Sequence, residues 1–412
     1  MANYFLTDLY LQGLASEPSA AFPQNYFRLQ DHSSLVPVLP DFATCLYSNI
    51  VPTEEVSWDG WEKANAPDEF GHEWSAVTYG NGLYVAVAER IDTNEGIGMI
   101  ATSPDGIDWT IRTTPGDDDF EAYTVDWIET LGLFIVGGYI SSNAFNILTS
   151  PDGITWTARQ TGLQADGGGP NKAVHSLTWS EPLGRLLVSN YWGTLFHYSD
   201  DGSNWTAITA EQSPGNFWAY FGLSAIAYSD TAGVFCAAGH QMSLSLTSTD
   251  GINWIEHDPT NIRFFKGFKM AWSPTANLFA FFGEQDDIIG PIYTSPDGIN
   301  WTSRPPVFTT ETNDGDVDAF LPIYGSRYNS VLDKFEMVTS GDENFSGFFT
   351  TPPGYILEST DGITWDFTPG IPGMHNYGYA VLSTSEFRDT ANKSVTEKVL
   401  VGHLGIFYST IT

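Results

Sequence analysis

One short phrase, Ser-x-Asp-Gly-x-x-Trp, recurs along the chain in six full copies: Ser103–Trp109, Ser150–Trp156, Ser199–Trp205, Ser248–Trp254, Ser295–Trp301 and Ser359–Trp365. The Asp residues of successive copies are 47, 49, 49, 47 and 64 positions apart. A period of that size marks an array of similar supersecondary units rather than a single irregular core. The phrase itself is turn chemistry. Gly accepts a positive φ, Asp bonds its own backbone two residues on, and the Trp restarts a strand with a large apolar anchor.

Between turns the sequence keeps one order: a short strand after the Trp, a variable loop, an apolar hairpin, and a strand leading to the next turn. Hairpins such as Ser75–Ala88 and Tyr123–Gly137 carry apolar runs bounded by Gly, Asn and Pro, which suits strands buried on both faces. Four strands per unit predicts an all-β fold, a seven-bladed β-propeller of four-stranded blades over residues 56–412, with six blades as the alternative. The count rests on a divided last copy. Ser409-Thr410 lies at one end and Asp59-Gly60-Trp61 at the other, so N- and C-terminal strands are expected to pair and remove the open sheet edges. Residues 1–55 fall outside the repeat and are rich in aromatics and Pro. They read as an N-terminal extension that packs on its own propeller or docks on a partner.

Composition narrows the function. A net charge of −34, with only 16 Lys plus Arg, repels phosphate backbones and anionic lipid, so neither nucleic-acid binding nor membrane insertion is expected. No apolar run reaches membrane-spanning length. The start of the chain lacks a basic segment and carries Asp8, so no signal peptide is expected. Two cysteines, Cys45 and Cys236, form no disulfide framework or zinc pattern, and Cys236 reads as a buried thiol on a strand.

On the six phrases the chain resembles the Asp-box propellers, a family that holds sialidases and many non-enzymatic binding proteins. The box here is one residue shorter between Asp and Gly than the usual one, a variant met in propellers of bacteria and tailed viruses. The resemblance covers the repeat region and implies that the boxes are structural, on the face opposite the ligand. It also implies a virion setting. Sialidase chemistry would need an arginine triad, and no arginine here stands in the family's Arg-Ile-Pro context, although Arg90, Arg263 and Arg327 fall near the other face.

The loops before each first strand are therefore where a ligand is expected. They carry His72, His175, Phe217, Trp218, Tyr220, Arg263, Phe264, Arg327, His375 and Tyr377, which pair aromatic faces with polar donors as sugar sites do. Packing between blades is the competing role for the aromatics. A zinc site from His72, His175 and His375 is disfavoured, because a ring spreads them apart. No catalytic residue and no cofactor is expected. Asp314, Asp316 and Asp318 form the one calcium candidate, without the distal Glu of an EF-hand. The expected function is a non-enzymatic virion protein (tail tip, fibre or head decoration) binding host surface glycan through its rim. Residues 1–55 would contact other virion proteins. A sialidase-like glycoside hydrolase and a purely architectural virion subunit are the alternatives.

Overall fold

The computed structural model describes residues 26–28, 35–37, 62–66, 72–90, 99–115, 120–140, 146–159, 173–190, 197–208, 225–239, 245–258, 267–285, 288–289, 292–304, 323–330, 332–339, 355–369, 381–388, 394–402 and 405–411. The chain divides into two compact units, Met1–Val56 with Asn344–Thr351, and Ser57–Glu343 with Pro352–Thr412. In the first, Tyr26–Arg28 pairs antiparallel with Leu35–Pro37.

The second unit is a ring of antiparallel meanders. Blade one comprises His72–Gly80, Leu83–Arg90, Met99–Ser103 and Thr110–Arg112. Blade two comprises Phe120–Ile128, Leu133–Ile140, Ile147–Ser150 and Thr157–Arg159. Blade three runs Val174–Ser180, Arg185–Asn190, His197–Ser199 and Thr206–Ala207, and blade four Ala225–Ser229, Val234–Ala238, Ser245–Ser248 and Ile255–His257. Blade five begins with Gly267–Ser273 and Leu278–Gln285 and ends with Ile292–Ser295 and Thr302–Arg304. Blade six holds Ile323–Asn329, Lys334–Thr339, Tyr355–Ser359 and Asp366–Pro369. A composite sheet shuts the ring. Val381–Arg388, Ser394–Gly402 and Gly405–Ile411 take Glu62–Lys63 as their outer strand, with Glu62 opposite Tyr408. The Ala64 N–H adds a 2.8 Å bond to the Ile406 carbonyl.

The expectation of seven four-stranded blades is corrected by these sheets: six are four-stranded, and blade five is not. Its second strand runs on to Gln285, then pairs back through Glu284↔Ile289 and Gln285↔Ile288 to gain a fifth strand, Ile288–Ile289.

The core lies between blades. Second strands are sealed on both faces, as at Tyr84–Ala88, Phe134–Val136 and Phe235–Ala238, whereas fourth strands such as Thr110–Arg112 meet solvent. Each apolar cluster spans a blade boundary. Val85, Val87 and Ile100 pack on Phe120, Phe134 and Trp156, and Phe279 and Phe281 pack on Ala225, Ala227 and Cys236. Cys236 is buried and free, as its strand context predicted.

The repeated phrase folds into one turn. In blade two the Asp152 carboxylate accepts from the Ile154 and Thr155 N–H groups at 2.8 and 2.7 Å and from the Ser150 hydroxyl at 2.9 Å. The Trp156 indole donates to the Gly153 carbonyl at 3.1 Å. The bonds of the Asp152 carboxylate stay inside its own turn, so the carboxylate is structural. The Asn204 N–H, then the Asn204 side chain, hold Asp201 down at about 2.

Candidate functional site

First strands face the ring axis, and five of them break register at the same place. The pairing skips Ser75, Tyr123, His175, Phe268 and Tyr324. A bulge of this kind re-aims one side chain and bends the strand. Repeated around a ring, it sets the bulged positions of five first strands at one level. Sequence reasoning set the residues at this point on loops before the first strand. The structure puts His72, Trp74, Phe120, Tyr123, His175 and Tyr324 within the strands themselves, because pairing resumes on either side of the bulge.

Two of the bulged residues meet. The Tyr123 and His175 rings stack across the boundary of blades two and three, with centroids 4.2 Å apart and planes 27° off parallel. The Tyr123 hydroxyl donates to Glu121 at 2.7 Å. Burial first, and the nearby Lys269 charge second, push the His175 imidazole down to about 3, so it is neutral at pH 7. Lys269 belongs to blade five, and its ammonium reaches past blade four to the His175 carbonyl at 3.3 Å. Burial lowers Lys269 to about 8. At blade one the Ser75 hydroxyl bonds the Ala122 carbonyl of blade two at 2.5 Å, joining the inner wall at the same level.

Three residues further along the strands lies a second polar level. Asp126 accepts from the Thr78 hydroxyl at 3.4 Å and from the Trp127 N–H at 2.9 Å. Burial pushes its carboxyl up to about 6, against those bonds and the field of Arg327. Arg327 grips Glu336 through Nε at 3.1 Å and Nη2 at 3.0 Å, with the Glu336 side chain fully enclosed. One residue on, Tyr79, Trp127, Tyr228 and Trp272 lean on Tyr84, Phe134, Phe235 and Phe279 with centroids 4.6–4.7 Å apart. This aromatic tier packs the wall.

Of the residues singled out from sequence, His175 lies at the bulge level and Arg327 at the second level, paired with Glu336. His72 opens the first strand of blade one, opposite Arg90. Phe217, Trp218, Tyr220, Arg263, Phe264, His375 and Tyr377 lie outside the described residues, as do Asp314, Asp316 and Asp318. Among the described residues no three His, Cys, Asp or Glu side chains gather into a metal cluster. Sequence reasoning missed Lys269 and Asp126. Each was visible as a lone charge inside an apolar strand, Phe-Lys-Met-Ala-Trp and Val-Asp-Trp-Ile.

A closed ring of radial antiparallel sheets around a polar inner wall defines a β-propeller. No family model and no curated protein matches the chain. Among solved structures, a streptogramin B lyase matches with a TM-score of 0.54 and 11% identity, covering 84% of this chain and 96% of the lyase. The extracellular domain of a one-component system from B. thetaiotaomicron gives 0.51 at 10% identity over 86% of this chain. The match spans 40% of that domain. These likenesses are of fold.

Proposed function

We propose that the protein is a non-enzymatic virion component, and that the bulged end of its propeller recognises host surface glycan. The observation that carries this is the Tyr123–His175 ring stack at the repeated bulge, with the Lys269 ammonium on the His175 carbonyl beside it. Aromatic and imidazole faces beside hydroxyl and ammonium donors match the two needs of a sugar, an apolar ring face and a belt of hydroxyls. Such contacts are weak singly, and many copies on a particle multiply them. The virion setting rests on the likeness of the short Ser-x-Asp-Gly-x-x-Trp repeat to those of tailed-virus propellers, and residues 1–55 are assigned to contacts with other virion proteins.

A glycan array probed with the full chain tests the assignment. Retention of at least one surface polysaccharide, reduced tenfold or more by Tyr123→Ala, is expected. No retention of any glycan overturns it. Cross-linking in assembled particles is expected to join residues 1–55 to a second virion protein. A glycoside hydrolase is the second reading, favoured by Asp126, whose raised carboxyl is the kind of group an acid catalyst uses. Release of shorter sugars from a retained polysaccharide would select it.

A further inference from the structure

Lys269 is out of keeping with its surroundings. The chain carries 50 Asp plus Glu against 16 Lys plus Arg, yet no carboxylate of the described residues bonds this ammonium. Among them its acceptor is one main-chain carbonyl, that of His175, at 3.3 Å. Lys269 is half-buried, an ammonium has three donors, and withdrawing one from water is costly unless it is paired. Other cations of the described strands are matched: Arg327 on a first strand has Glu336, and Arg185 on a second strand has Asp200 at 2.7 Å. Lys269 also follows the bulged Phe268 directly and reaches the carbonyl of His175, whose ring stacks on Tyr123. Charge, donor directions and ring faces thus converge on one place.

We infer that Lys269 and the Tyr123–His175 pair form a subsite for a carboxylate-bearing sugar of the uronic-acid class, the carboxylate on the ammonium and the sugar ring against the aromatic pair. The inference rests on the glycan-binding function and narrows it to acidic glycans. A neutral His175 suits the arrangement, since it adds a ring face without a second charge, and a carboxylate supplies what Lys269 lacks. The overall negative charge of the protein opposes anions at long range, so the subsite selects by close contact and not by steering.

The test uses the full chain labelled with ¹³C at lysine Cε, the Lys269 signal being assigned by its loss in Lys269→Met. D-glucuronate is expected to shift that signal at lower concentration than acetate, and D-glucose not to shift it. On the array, polyuronates are expected to be retained and to lose at least tenfold in Lys269→Met, while their carboxyl-reduced forms are not retained. No shift with glucuronate overturns the inference whatever the array shows, and so does an equal response to acetate. Retention of neutral glycans alone, unchanged in Lys269→Met, overturns the subsite and leaves the glycan-binding function standing. Retention of nothing, with a glucuronate shift still present, removes the glycan function and keeps the anion site.

Discussion

The Ser245 hydroxyl in the third strand of blade four donates a 2.9 Å hydrogen bond to the Gly298 carbonyl in the turn of blade five. The same carbonyl accepts from the Trp301 indole at 3.0 Å and lies 3.8 Å from the Cys236 sulfur. One turn is thus seated on its neighbour's core. The repeat stabilises interfaces as much as it ends strands.

Gly298→Ala tests that seat. Its φ is +74°, and an added Cβ would lie 2.9 Å from the Cys236 sulfur. Strain at positive φ and overpacking each cost about 1–3 kcal/mol, so a loss of about 2–5 kcal/mol is expected by denaturant titration. Gly82 has the same φ with nothing within 4 Å of a Cβ. Gly82→Ala is expected to cost no more than the backbone strain, and equal losses at both sites would refute the packing account.

Arg327→Met removes the cation paired with an enclosed carboxylate. Breaking one side of such a pair costs roughly 3–5 kcal/mol, and the double change Arg327→Met with Glu336→Met is expected to recover much of it. A thermal-melt double-mutant cycle reads the coupling. Additive losses would show that the pair is not a unit.

Asp126 sets a slope with pH. Its folded value, about 6, lies above the usual 3.8, so the native state binds the proton more tightly than the unfolded chain. That contribution is complete below about pH 4 and is lost as pH rises through 6. Asp126→Asn is expected to flatten stability between pH 4 and 6 and to raise it at pH 7. An unchanged slope in urea titrations across this range would rule Asp126 out as its source.

His197 gives the opposite slope. It is fully buried in blade three, neither ring nitrogen has a partner among the described residues, and burial lowers its value from 6.5 to about 4. The unfolded chain therefore takes up a proton first, and stability falls as pH drops from 6.5 towards 4. His197→Leu removes both that loss and the buried unsatisfied groups, worth about 1–3 kcal/mol. The variant is expected to outlast the parent at pH 5, and earlier acid unfolding would contradict this account.

The turns were legible because their chemistry is local: Ser, Asp, Gly and Trp act within seven residues of one another. Closure through Glu62–Lys63 was legible because half a phrase stood at each end of the repeat. The bulges were not, since whether Tyr123 or His175 is skipped depends on a partner strand's register, which no single strand encodes. The fifth strand of blade five was hidden for a related reason. Its pairing is set by how far Leu278–Gln285 extends, and Glu284-Gln285 carries no apolar alternation to announce it. Lys269 and Asp126 were not legible as site residues, because a single charge on a strand takes its weight from burial on the inner wall, which tertiary packing decides.

The pairing of Glu62–Lys63 with Gly405–Ile411 also dictates an order of events. Every other sheet is a meander of neighbours in sequence and can assemble as it leaves the ribosome, but this one must wait for residues more than three hundred positions later. The ring is therefore fastened last, by a clasp of two residues, and until then the side of blade one that Val399 and Ile406 cover stands open. Chaperone need, early proteolysis and misassembly should all concentrate at this seam.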